Sequence, residues 1–454
     1  MDNLNYSESD FGERLNKVLS ASKPINSIEF LKGRDRELET IKRALYADGR
    51  HVFIFGDRGV GKSSLGQTAA IAYQSSDAEP IFVSGSPDDS FSSIVANIVA
   101  RAISKPRTKS VKNSKKISLS FRGLSIGEGE DVSPIDIESN IQTIGDAVEL
   151  LRQAGKEHSA KPIIVIDEFD TISSLDERNK FSYLLKQLGD QAVNIKFIFT
   201  GIARSLDELL GVHQSAYRQL ETVELPRLGW DARREIVTST AAAFNITVDN
   251  DVNWRICMVS DGYPYYIHLV LEKILWAAYI LEPDISEIGW DLFHEGLHEA
   301  ILATSAELKR PYEKAVLHRE ESYEDVVWAT ADHDDLMRSL NDMYESYRLV
   351  VEKRNDAREV LDRGRFSALV RKLKDASYGS VLTSVESRKG WYSYREKMLR
   401  GFVRMQAHVN GVELTGDRPT PRQTQHVGNA RKGYKGAALP RGVRQRSKIG
   451  SWDD

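Results

Sequence analysis

The chain has 454 residues, with 62 Lys and Arg against 66 Asp and Glu and a net charge of −4. At roughly 150 residues per domain this length makes about three domains, and the near-neutral total gives no global electrostatic case for nucleic acid. No run approaches the ~18 consecutive apolar residues of a membrane span. The polar start MDNLNYSESDFGERL lacks the apolar stretch of a secretory signal, and the single cysteine, Cys257, excludes a disulfide framework or a Cys-rich zinc module. A cytoplasmic chain with no membrane partner is expected.

In chain order, residues 1–26 read as a polar, loosely held lead-in. Leu38, Ile41 and Leu45 then fall at helical spacing. His51 to Phe55 is a short apolar run ended by glycine, the pattern of a buried strand, and similar runs recur at Pro80–Val83, Ile163–Ile166 and Ile195–Thr200. Helical stretches such as SSLGQTAAIAYQ separate them, which predicts an α/β core with a parallel sheet covered on both faces, over 27–224. Inside it, Lys116–Ile126 alternates with period two around Gly123, which predicts a hairpin in an insertion at about 104–130 whose first part is basic.

Strand signals stop at Leu225, and DARREIVTSTAAAF, NWRICMVS and YPYYIHLVLEKILWAAYIL predict a helical domain over 225–300. Residues 301–413 are again mostly helical, with short alternating runs at Gly379–Val385 and Gly390–Tyr394. From about 414 onward the apolar content collapses, and residues 418–448 carry nine Lys or Arg and no acid, the composition of a disordered basic tail.

One motif dominates the chemistry. Gly56-Asp57-Arg58-Gly59-Val60-Gly61-Lys62-Ser63 is a full GxxxxGK[ST], placed after a strand and before the helix SSLGQTAAIAYQ, and these residues with Ser64 are expected to bind the nucleotide. In that context the backbone N–H groups wrap phosphates, Lys62 is placed to reach the β- and γ-phosphates, and the Ser63 hydroxyl is placed to help hold Mg²⁺. A second element, Pro162-Ile163-Ile164-Val165-Ile166-Asp167-Glu168, sets Asp167 at the carboxyl end of a buried strand, where α/β proteins bind ligands. Asp167 there suits Mg²⁺, and Glu168 beside it is placed to polarise an attacking water.

With these motifs the chain resembles the AAA+ ATPases, in particular the origin-recognition and initiator-like branch and its archaeal-type, STAND-like relatives. Phe30-Leu31-Lys32-Gly33-Arg34-Asp35-Arg36-Glu37 is similar to the box that lies against adenine in that family, which implies Gly33 and Arg34 at the nucleotide. Phe197-Ile198-Phe199-Thr200-Gly201 is similar to the sensor-1 strand and implies Thr200 as a γ-phosphate sensor. Ser215-Ala216-Tyr217-Arg218 occupies the place of an arginine finger, for which Arg204 competes. Leu225-Pro226-Arg227-Leu228 looks like the hinge into the lid. Asp261-Gly262-Tyr263-Pro264 stands where many members carry a sensor-2 arginine. It looks like the GxP element of STAND and archaeal-type relatives, which implies Pro264 near the nucleotide and a slow switch.

Residues 323–412 are similar to a winged helix, with helices at 323–331, 335–351 and 366–374, wing strands at 379–385 and 390–394, and a closing helix at 396–409. Arg371, Lys372 and Lys374 would lie on the outer faces of its third helix. The resemblance implies ATP and Mg²⁺ as cofactors and a slow ATPase switch that couples nucleotide state to double-stranded DNA. The alternative is a signalling or defence ATPase whose winged helix and tail bind a protein effector. A homo-oligomer is implied if Arg218 acts in trans.

Overall fold

The computed structural model describes residues 4, 6–20, 23–74, 77–104, 119–121, 124–126, 134–202, 218–281, 284–354 and 358–414. Residues Met1–Gly416 group as one unit and Asp417–Asp454 as a second. The basic part of the insertion at 105–118, Arg204, Ser215 to Tyr217 and the tail from 415 lie outside the described residues.

The core is a five-stranded parallel sheet. Its strands are β1 (His51–Phe55), β2 (Ile81–Ser84), β5 (Ile163–Asp167), β6 (Lys196–Gly201) and β7 (Leu220–Glu224), in the order β2-β5-β6-β1-β7. The numbers β3 and β4 belong to a separate antiparallel hairpin, Leu119–Phe121 paired with Leu124–Ile126, with Phe121 opposite Leu124. That is the hairpin predicted around Gly123.

Alternation explains why both faces are covered. Ile163 and Val165 of β5 enter one hydrophobic cluster with Val52 and Ile54 of β1, while Ile164, Ile166 and Phe53 enter a second cluster on the other face. Because successive side chains in a strand point to opposite faces, a continuous apolar run has to be buried twice. The helices Asp35–Tyr46 and Lys62–Tyr73 cover the first face; Phe91–Ser104, Ile144–His158 and Leu175–Asp190 cover the second. This is a RecA-like P-loop NTPase core.

The lead-in corrects the expectation of a loosely held segment. Glu8–Val18 is a helix capped by the Ser7 side chain, with Phe11 and Leu15 buried. Phe11 stacks on Tyr279 with ring centroids 4.4 Å apart and meets Trp276 and Phe244. The polar majority of the segment hides an apolar pair at i and i+4, enough for one face of a helix that finds aromatic neighbours.

After Leu225 come the helices Trp230–Ala242, Asn250–Val259, Pro264–Leu281 and Trp290–Ala303, then Ala306–Val316. The C-terminal part runs as helix Ser322–Thr330, strand Met337–Ser339, helices Leu340–Glu352 and Arg363–Lys372, strands Leu382–Ser384 and Trp391–Tyr394, and helix Leu399–Val409. Trp391–Tyr394 is the central strand of an antiparallel sheet with the other two. The predicted second helix therefore splits. Its first residues form a three-residue strand, and Ser339 then caps the helix by accepting from the Asp342 N–H. Among the described residues no helix is long and apolar enough to cross a membrane.

Candidate active site

Parallel strands leave the chain at one edge of the sheet, and strand order decides what meets there. β6 lies between β1 and β5, with Ile54 opposite Thr200 and Ile166 opposite Phe199. The loop after β1, the end of β5 and the end of β6 therefore share one crevice. A cavity of about 470 Å³ opens at this edge. Its core wall is Arg58 to Ser64 with Asp167, Glu168 and Thr200. Leu228, Ile236, Pro264 and Tyr265 face it from the helical part, and Pro24, Ile25 and Phe30 from the segment ahead of the helix Asp35–Tyr46.

The glycine-rich loop ends on Gly61, the left-handed N-cap (φ +95°) of the helix Lys62–Tyr73. The Lys62 ammonium donates to the carbonyls of Gly56 (3.1 Å) and Asp57 (2.8 Å). Burial lowers its pKa, while Asp170 and Asp167 act in the opposite sense. A helix N-terminus and a lysine above a loop of N–H groups form an anion cradle.

Three oxygens meet beside it. Ser63 Oγ donates to Asp167 Oδ1 at 2.9 Å, and Thr200 Oγ1 donates to the same oxygen. The Glu168 N–H donates to Thr200 Oγ1 at 3.2 Å. A carboxylate and two hydroxyls are hard oxygen donors, and they fit Mg²⁺ held by few protein ligands and by phosphate. Glu168 has left-handed backbone angles (φ 51°, ψ 40°) and is exposed at the cavity. Its carbonyl is fixed by the Thr171 hydroxyl at 2.7 Å. Strain at a polar residue facing a cleft is typical of functional positions.

Arg34 lines the cavity, with its guanidinium donating to the carbonyls of Val60 (3.0 Å) and Pro226 (2.8 Å). Burial, partly offset by Glu37, moves its pKa down to about 10, so it stays charged. Arg34 thus ties the phosphate loop to the hinge. Gly33 sits behind the wall at φ +66°, where an added Cβ would stand 2.2 Å from Ala232 Cβ. Gly33→Ala therefore meets both a left-handed penalty and a clash. It is expected to cost about 2–5 kcal/mol and to weaken nucleotide binding, which thermal melting and titration of a fluorescent ATP analogue would check. Unchanged values for both would refute it.

Pro264 reaches the loop, its Cγ 3.8 Å from where a Cβ on Gly61 would lie. Arg218 does not reach its own chain's site. It is exposed and precedes β7, whose first residue pairs with His51 at the start of β1, whereas the phosphate loop follows the end of β1. Five residues of strand, roughly 16 Å at the usual rise, separate the two edges.

Other contacts to the loop were not signalled by any motif. Lys397 Nζ donates to Asp57 Oδ1 at 2.6 Å, and Arg58 Nη1 pairs with Glu307 Oε1 at 2.7 Å. Met398 Sδ lies 2.3 Å from where a Cβ on Gly59 would be, and with φ +76° at Gly59 a side chain there would displace the methionine tip and strain the backbone. Ile25 is held to the next helix, its N–H donating to Ser64 Oγ at 3.0 Å. These contacts join segments remote in sequence, which no local pattern announces.

The sheet, the loop and the Ser63–Asp167–Thr200 cluster define a P-loop nucleoside triphosphatase. Residues 31–198 match the AAA ATPase domain family, and this part of the chain is an AAA ATPase domain. No curated protein matches the chain. Solved structures similar to it include the Walker-type ATPase PABY2304 of Pyrococcus abyssi, at 16% identity and TM-score 0.48 over 84% of this chain and 99% of that one. Cdc6p from Pyrobaculum aerophilum is similar at 17% identity and TM-score 0.45, over 87% and 97%. The Aeropyrum pernix Orc1 protein in complex with DNA is similar at 15% and 0.42, over 82% and 92%.

Proposed function

We propose that the protein is a slow ATP-dependent switch whose phosphate loop is read by its C-terminal part, which in turn binds double-stranded DNA as a winged helix. The observation that carries this reading is the direct seat of Lys397 and Met398 on Asp57 and Gly59. A change in the loop on ATP binding has to move or strain that segment, and Lys397 and Met398 lie between the strand Trp391–Tyr394 and the helix Leu399–Val409.

In this reading Lys62 and the loop N–H groups hold the phosphates, Ser63 and Asp167 hold Mg²⁺, and Thr200 senses the γ-phosphate. Mg²⁺ neutralises charge developing on the transferred phosphoryl group. Glu168 accepts a proton from the attacking water. Arg218 serves only a neighbouring subunit's site, in a homo-oligomer.

The DNA side rests on charge. The helix Arg363–Lys372 contains no acid, and Arg363, Arg365, Arg371 and Lys372 are exposed, as are Lys374 and, at the turn between the last two strands, Arg388 and Lys389. Such groups neutralise phosphates and release counterions. A second reading, a signalling ATPase that contacts a protein effector, draws on Pro264 packed at Gly61 in the place of a sensor-2 arginine.

The test is ATP hydrolysis with and without double-stranded DNA at two salt concentrations. DNA stimulation with ATP-dependent retention at the higher salt supports the first reading; hydrolysis indifferent to DNA, with retention lost as salt rises, supports the second. The coupling has its own test. The Lys397–Asp57 pair is partly exposed and worth at most about 1 kcal/mol, so Lys397→Glu should shrink the DNA-dependent change in ATP affinity by up to about fivefold. An unaltered change would remove this contact from the switch.

A further inference from the structure

The phosphate loop carries an arginine that the site as described leaves without a task. Arg58 lines the nucleotide cavity together with Lys62, Glu168 and Thr200. Its guanidinium nevertheless pairs with Glu307, in the first turn of the helix Ala306–Val316, at 2.7 Å. That pair is loose. The two side chains are 49% and 66% exposed, and an ion pair so open to water does little to hold either partner. A phosphate is the better partner for a guanidinium, which can meet two of its oxygens with parallel N–H bonds.

The chemistry has a use for that charge. In phosphoryl transfer, negative charge spreads over three oxygens of the moving group, and catalysis consists largely of positioning and neutralising it. The other arginines placed at the site give no help within one chain. Arg34 is buried, with Nη2 donating to the carbonyls of Val60 and Pro226. Arg218 stands at the far edge of the sheet. Among the described residues, Arg34 and Arg58 are the arginines that line the cavity. Glu168, on the same cavity wall, marks the end at which water attacks. The Glu307 hydrogen bond is the main cause of a raised Arg58 pKa, and Glu168 acts on its charge in the same sense.

We propose that Arg58 is a catalytic residue, leaving Glu307 when ATP binds and donating to the γ-phosphate oxygens of its own chain's nucleotide. It supplies in cis the cation that Arg218 can offer only to a neighbour. The inference rests on the ATPase reading and adds a residue to that site. Bond making and breaking are unaffected. The water oxygen joins phosphorus, the bond to the β-phosphate oxygen breaks, and the proton passes to Glu168. Arg58 stays protonated throughout and only donates hydrogen bonds. Once the γ-phosphate has gone, the pair with Glu307 forms again.

Single-turnover hydrolysis by the full chain, beside competition binding of ATP and ADP, tests this. Arg58→Ala should slow hydrolysis by about 10²–10³-fold, the loss typical of removing one preorganised donor, and should narrow the preference for ATP over ADP. Arg58→Lys keeps the charge without the fork and should recover only part of the rate. Glu307→Gln releases Arg58 and should hydrolyse at least as fast as wild type. All three variants should melt close to wild type without nucleotide, because the pair is exposed. Chains carrying Arg58→Ala, mixed with chains carrying Glu168→Gln, should stay as slow as either alone. Undiminished hydrolysis in Arg58→Ala overturns the assignment. Equal losses in Arg58→Ala and Glu307→Gln do so as well, since they would mark a structural ion pair, and recovery on mixing would place Arg58 in trans. If wild type binds ATP and does not hydrolyse it, the ATPase reading itself fails, and this inference with it.

Discussion

Glu168→Gln should leave ATP binding within a few-fold of wild type and slow hydrolysis by roughly 10²–10⁴-fold, the range that general-base removal takes out. The geometry supports a separation of the two effects. The backbone at Glu168 is fixed independently of its carboxylate: the N–H donates to Thr200 Oγ1, and the carbonyl accepts from Thr171. Glutamine keeps the length and the left-handed backbone and removes only the acceptor for a proton. Asp167→Asn is different, because Asp167 Oδ1 takes both the Ser63 and Thr200 hydroxyls. That substitution should disturb Mg²⁺ dependence as well as rate. Equilibrium titration of an ATP analogue beside single-turnover hydrolysis distinguishes the two. Hydrolysis at wild-type rate in Glu168→Gln would mean that another group orients the water. Loss of binding together with rate would give Glu168 a structural role.

What could be read from the sequence follows from locality. A phosphate loop is eight consecutive residues, and its strand and helix are adjacent, so its place needed no tertiary knowledge. Asp167 and Thr200 were legible because each ends an apolar run, and parallel strands bring such ends to one edge. The helix Glu8–Val18 was missed because its apolar pair, Phe11 and Leu15, is short, and its stability comes from Tyr279 and Trp276, more than 250 residues away. The Lys397–Asp57 pair spans 340 positions; neither residue stands out locally. The strand Leu220–Glu224 was not among the predicted runs, and only its register with β1 shows that the edge beside Arg218 is remote from its own phosphate loop.

The largest effect on stability is expected at Asp261, which the sequence offered only as part of the Asp261-Gly262-Tyr263-Pro264 run. Its carboxylate is fully buried and holds three guanidiniums. Arg400 is bidentate, with Nε on Oδ2 at 2.7 Å and Nη2 on Oδ1 at 2.6 Å. Arg404 Nη1 lies 3.1 Å from Oδ1, and Arg227 of the hinge also donates to Oδ1. Arg227 and Arg400 further donate to the Asp334 carbonyl, at 2.8 Å each, so one acid ties hinge, lid and C-terminal helix together. Burial by itself would raise the Asp261 pKa, and Arg400 and Arg404 outweigh it, holding it down to about 2 against an ordinary 3.8. A folded-state pKa below the unfolded one means that the stabilisation is fully present above the ordinary carboxylate value. It is lost as pH falls from 3.8 through about 2, and the shift corresponds to about 2 kcal/mol. Asp261→Asn keeps the shape and leaves the guanidiniums uncompensated, which should cost about 3–5 kcal/mol at neutral pH. It should also flatten the acid limb of stability relative to wild type. Urea unfolding of both proteins at neutral pH and at several values below pH 5 measures the two effects together. A loss below about 1 kcal/mol, within the range of an ordinary surface change, would show that the three arginines find other acceptors. Equal acid sensitivity in both proteins would move the titration to a different carboxylate. The expected pattern would instead make this cluster the joint on which nucleotide-driven motion of the C-terminal part has to turn.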